Sequence, residues 1–140
     1  MERAQDGGIV TALLSWARAN GEIDGAIVSA VGEQDDPCFP TPKVVTTEEQ
    51  IKASASSWYT YCENNMALKE VKDRDLKKVA FVGVPCQITL LRKMATMDPG
   101  FLVTGKKRPK PLARQRDFLR GFAERVEFSI GLFCTEVFTS

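Results

Sequence analysis

The sequence contains no histidine. That removes the usual general base, a common zinc ligand and every cysteine–histidine nucleophile pair. Chemistry on this chain must use cysteine, carboxylate, backbone amides or a borrowed cofactor. No apolar run reaches the roughly 18 residues that a membrane-spanning helix needs. The N-terminus, Met1-Glu2-Arg3-Ala4-Gln5-Asp6, is polar and acidic and lacks the order of a secretory signal. A cytoplasmic location is therefore expected. The net charge is only +1, which argues against nucleic acid and membrane surfaces as partners. Four cysteines occur without a Cys-x-x-Cys pair or a ferredoxin-like run. In a reducing compartment they are free, metal-bound or catalytic rather than cross-linked.

A length of 140 residues fits one domain with a working core. The chain opens directly before a helical pattern and stops a few residues past a strong strand, so an incomplete domain, truncated at both ends, is expected. Asp6-Gly7-Gly8 precedes an amphipathic helix over 9–20, with Val10, Leu13, Leu14 and Ala17 at helical spacing and Asn20-Gly21 as the stop. Gly25 to Val31 predicts the first strand, and Lys43 to Thr46 a second, short one. Thr47 predicts the cap of a helix over 48–55. An aromatic, polar loop follows over 56–65, and a helix over 66–71. Val79-Ala80-Phe81-Val82-Gly83 is a buried strand by its valine-rich run, and Ile88 to Met94 is helical. The basic stretch 104–116, with Lys106, Lys107, Arg108, Lys110, Arg114 and Arg116 and two prolines, predicts a mobile loop or an insertion. Asp117 to Val126 predicts a short helix, and Phe128 to Phe133 the last strand. Alternating strands and helices give an α/β class, with mixed α+β as the variant: a mixed sheet flanked by helices.

Two places carry the candidate chemistry. Cys86 leaves the strand exit Gly83-Val84-Pro85, and Cys134 leaves the last strand. Ligands collect at the carboxyl ends of open α/β sheets. Two thiols there suggest a soft-ligand site; the plainer reading is two buried free cysteines. Gln5-Asp6-Gly7-Gly8 frees backbone amides at a positive helix end, which suits a phosphate or an ordinary helix start. The chain has neither a Walker loop nor the dinucleotide fingerprint. Cys62, beside Tyr61 in a loop, is a possible third ligand, and Cys38, between two prolines, predicts an exposed or half-buried loop residue. The basic stretch could meet an acidic ligand or a partner subunit.

At these residues the chain resembles the coenzyme F420 hydrogenase/dehydrogenase beta subunit family. Ala4 to Leu14 followed by Ile23-Asp24-Gly25-Ala26, then Trp58-Tyr59-Thr60, Phe81 to Gln87 and Gly131 to Glu136 match its motifs in order. The resemblance implies FAD, a [4Fe–4S] cluster and coenzyme F420 as substrate. It implies hydride transfer between coenzyme F420 and FAD, with electrons passed on to the cluster. It assigns Gln5, Asp6, Gly7, Gly8, Thr11, Tyr59, Thr60, Pro85 and Gln87 to cofactor binding, and Cys86 and Cys134 to the metal. The other two cluster ligands come, in the family, from a later Cys-x-x-Cys that this sequence does not contain. No ligand role is carried onto Cys62, where the family often has serine. Residues 1–140 are thus expected to be the N-terminal flavin and iron–sulfur part of an F420 oxidoreductase beta subunit, partnered by other subunits of a hydrogenase, dehydrogenase or reductase complex. A related flavin/iron–sulfur reductase with another reductant, a non-catalytic docking fragment and a small domain with core cysteines are the alternatives.

Overall fold

The structure, a computed structural model, describes residues 8–32, 35–96 and 110–134. Helix α1 spans Ile9–Ala19 and strand β1 Gly25–Ala30; strand β2 is Thr41–Val45 and helix α2 Glu48–Ala53. A 3-10 turn, Asn64–Ala67, runs into α3, Leu68–Asp73. Strand β3 is Val79–Gly83 and helix α4 Pro85–Thr96; helix α5, Lys110–Ala123, leads to strand β4, Val126–Gly131.

The four strands form one sheet in the order β2-β1-β3-β4. β1 pairs β2 antiparallel, whereas β1–β3 and β3–β4 are parallel. The mixed, helix-flanked sheet expected from the sequence is what forms. All five residues of β3 are buried, which explains its unbroken apolar run: a parallel strand covered on both faces has no polar side. Alternate side chains enter two cores. Ile27, Val79 and Phe81 pack with Leu68, Val71, Leu91 and Phe122 from α3, α4 and α5. Ala26, Val28, Ala80 and Val82 pack with Leu14, Ala17, Ile23 and Ile51 on the side of α1 and α2.

Several element boundaries differ from the sequence reading, and four of them have an evident physical reason. β2 begins at Thr41 and includes Pro42, which an edge strand tolerates because it needs ladder donors on one side only. β4 starts two residues early, at Val126, whose side chain packs on the core. The helix after β3 starts at Pro85, so Cys86 lies in its first turn; proline suits that position because its missing N–H would be unpaired there anyway. The basic stretch is corrected in part. Residues 104–109 lie outside the described residues, but Lys110 to Arg116 are helical and belong to α5. Contacts within the helix and with α3 fix its second half. Phe118 and Phe122 meet edge to face at 4.8 Å, and the Lys72 ammonium of α3 sits 4.5 Å from the Phe118 ring.

Candidate functional site

A cleft of about 450 Å³ opens at the carboxyl ends of β1 and β3, the place where open α/β sheets gather ligands. Its size lies within the ordinary range of small-molecule sites. One wall is the start of α1, with Gly8, Ile9 and Thr11. Gly8 holds φ 68°, a left-handed conformation that a side chain would strain. A second wall is the loop 54–62, which carries Trp58, Tyr59, Thr60 and Tyr61. The floor is Ser29, Val82, Gly83 and Val84, and the segment after β4 adds Leu132, Phe133 and Cys134.

Of the cofactor residues expected from the sequence, Gly8, Thr11, Tyr59, Thr60 and Gln87 line this cleft. Pro85 is exposed on α4 and does not line it. Gln5, Asp6 and Gly7 lie outside the described residues. Cys134 lines the cleft, while Cys86 does not. Both thiols are exposed, which overturns the alternative of two buried core cysteines. Their backbones are nonetheless matched. Gly83 pairs with Gly131 across β3 and β4, and Leu132 N–H donates to the Gly83 carbonyl at 2.8 Å. Each cysteine follows its paired glycine by three residues, so the two leave adjacent strand ends at the same level. Among the described residues no three histidine, cysteine, aspartate or glutamate side chains gather to hold a metal.

Cys62 and Cys38 take different places. Cys38 is exposed and its carbonyl accepts from Thr60 Oγ1 at 3.2 Å. Cys62 is half-buried on the cleft, and its Sγ lies 3.1 Å from Asn64 Oδ1. Burial pushes its thiol pKa up, against a smaller lowering by the Ser29 hydroxyl, so it is held as a neutral donor. Trp58 Nε1 is buried with no hydrogen-bond partner among the described residues, leaving the cleft wall with a spare donor. Sequence reasoning misses Ser29 and Asn64. An Asn-Asn pair in a polar loop looks like turn chemistry, and nothing local marks Asn64 as the 3% exposed residue it is.

Known proteins resemble this chain over nearly its whole length. Residues 1–69 match the family model for the coenzyme F420 hydrogenase/dehydrogenase beta subunit N-terminus, and residues 76–140 match the model for its C terminus. The chain belongs to this family. It is 33% identical to the coenzyme F420 hydrogenase subunit beta of Methanothermobacter thermautotrophicus, over 96% of this chain and 41% of that protein. It is 40% identical to the coenzyme F420-dependent sulfite reductase of Methanocaldococcus jannaschii, over 96% of this chain and 20% of that enzyme. In the solved F420-reducing [NiFe] hydrogenase complex of Methanosarcina barkeri, one chain superposes with a TM-score of 0.77 at 35% identity, covering 99% of this chain and 41% of that one. The chain thus spans about two-fifths or less of the length of these F420 hydrogenase and reductase relatives.

Proposed function

We propose that this chain forms the flavin-holding part of a subunit that exchanges electrons with coenzyme F420, and that it contributes Cys86 and Cys134 to a [4Fe–4S] cluster. The supporting observation is the cleft itself. It gathers Gly8, Thr11, Tyr59, Thr60 and Cys134, far apart in sequence, at one end of a sheet. Family membership supports the same cofactors.

The donor set suits them. The first turn of α1 offers unpaired backbone amides and the Thr11 hydroxyl to a phosphate. Trp58 and Tyr59 offer flat apolar surface to a ring system, and Trp58 Nε1 a hydrogen bond. Cys86 and Cys134 are exposed thiols at adjacent strand ends, as two ligands of a four-ligand cluster require; the remaining two come from outside the described residues. A flavin held here would supply hydride acceptance and one-electron release, so this chain need supply no protein base, in keeping with its lack of histidine. The chain's own task is to orient the ring, exclude water with Val28, Val82 and Leu132, and hold the thiols.

The test is anaerobic titration of the protein, in the complex with which it copurifies, by reduced coenzyme F420. Bleaching of flavin absorbance is expected; unchanged absorbance removes the hydride-transfer reading. Cys86→Ser and Cys134→Ser should each lower bound iron while leaving flavin in place. The 140-residue chain alone should hold no intact cluster, and a stoichiometric one would show that Cys38 and Cys62 are ligands. Similarity to the sulfite reductase favours, as a second reading, a relative of the same construction that serves a different electron acceptor.

A further inference from the structure

Two polar side chains among the described residues are almost fully buried: Asn64 at 3% and Gln87 at 6% exposure. They sit side by side beneath the cleft, and their bonds form one connected set. Asn64 Nδ2 donates to the Val82 carbonyl at the end of β3, at 2.8 Å. Asn64 Oδ1 faces both the Ser29 hydroxyl and the Cys62 thiol at 3.1 Å. Gln87 Oε1 accepts from the Val84 N–H at 3.1 Å, reaching back over the first turn of α4, and Gln87 Nε2 donates to the Cys62 carbonyl. Asn65 Nδ2 closes the set on the Gln87 carbonyl at 3.3 Å. β1, β3, the first turn of α4 and the end of the aromatic loop are thereby tied at one point.

We infer that Asn64 and Gln87 are positioning residues that latch the 58–62 loop down as a wall of the cleft, Gln87 acting through Cys62 rather than as a cofactor ligand. Both ends of the Gln87 carboxamide are engaged by the chain's own backbone. Gly83 is part of the device. A Cβ there would lie 2.6 Å from Gln87 Oε1 and 3.4 Å from Gln87 Cβ, so the glutamine packs in the space that glycine leaves. Such a buried, fully bonded network holds one geometry well, and loses it when one member is removed. The thiol of Cys62 reports the state of the latch, because it is sheltered only while the loop is down. The consequence for cofactor binding rests on the flavin reading; the latch itself does not.

The experiment uses the isosteric variants Gln87→Glu, which keeps the acceptor to Val84 and loses the donor to Cys62, and Asn64→Asp, which loses the donor to Val82. Native and variant proteins, in the complex with which they copurify, are treated with N-ethylmaleimide, and each cysteine is followed by peptide mass spectrometry, with exposed Cys38 as the internal reference. Cys62 modification relative to Cys38 should rise about fivefold or more in both variants, the loss of one buried hydrogen bond. That rate should stay flat at low urea, the sign of local opening. Unchanged Cys62 protection in both variants, or a rate that climbs with urea from the outset, overturns the latch. Flavin affinity, measured in parallel, should weaken in the same variants; unaltered affinity beside a freed Cys62 removes the positioning role. A native protein that takes up no flavin removes the flavin reading instead and leaves the thiol result standing.

Discussion

At the scale of single residues, Gly83 and Gly121 make opposite predictions. A Cβ on Gly83 would stand 2.6 Å from both Phe81 Cε1 and Gln87 Oε1. Gly83→Ala should therefore cost about 1–3 kcal/mol through overpacking. Gly121 sits near the end of α5, and a Cβ there would meet no atom within 4 Å. Gly121→Ala should instead stabilise, by up to about 1 kcal/mol, through helix propensity. Urea unfolding of the two variants against the native protein checks the pair. Residues also set the limit of what the sequence reveals about the site. Thr11, Tyr59, Thr60 and Cys134 stand in recognisable motifs, and all four line the cleft. Asn64 stands in none. Its burial comes with a bond to the carbonyl of Val82, 18 residues away, a partner that no local pattern announces.

At the scale of elements, the turn that joins β1 to β2 is fastened by one carboxylate. Asp35 accepts from the Gly32 N–H at 2.8 Å and from Thr41 Oγ1 at 3.0 Å, and pairs with Lys43 at 2.9 Å. The Lys43 ammonium, then the Gly32 amide and the Thr41 hydroxyl, lower its pKa from 3.8 to about 2. A depressed carboxylate favours the folded state above its unfolded pKa, and that contribution is lost as pH falls from 3.8 towards about 2. Carboxylate NMR titration should give an Asp35 midpoint near the lower value, moving upward in Lys43→Ala. Elements differ in how plainly their sequences declare them. β1 and β3 are legible because their apolar patterns coincide with their burial; α1 is legible from its spacing, although only Leu14 and Ala17 are buried and Ile9, Leu13 and Trp16 stand exposed. The first half of α5 is not: prolines and a run of basic residues look like a loop, and the contacts that fix the helix lie in its second half, where Phe118 and Phe122 meet Lys72 of α3.

At the scale of the whole molecule, the sheet is legible as a class and its order is not. Nothing in the strand sequences says that β3 lies between β1 and β4; that follows from how the helices cover it. The order matters for the two regions matched by the family models. Residues 1–69 supply β1 and β2, residues 76–140 supply β3 and β4, and the seam between them is the parallel pairing of Ile27 with Phe81. Each region alone would leave one edge of its strands without a neighbour, and a lone two-strand ribbon is marginal at best. A chain divided beside Asp75, in the turn before β3, should therefore give two pieces that are each poorly folded and that regain structure on mixing. Circular dichroism of the mixture exceeding the sum of the parts checks this. Halves exchanged between two members of the family would have to match along this seam as two strangers' hands match in a grip: Ala26, Ile27, Ala80 and Phe81 would travel as a set, or the cleft above them would not form.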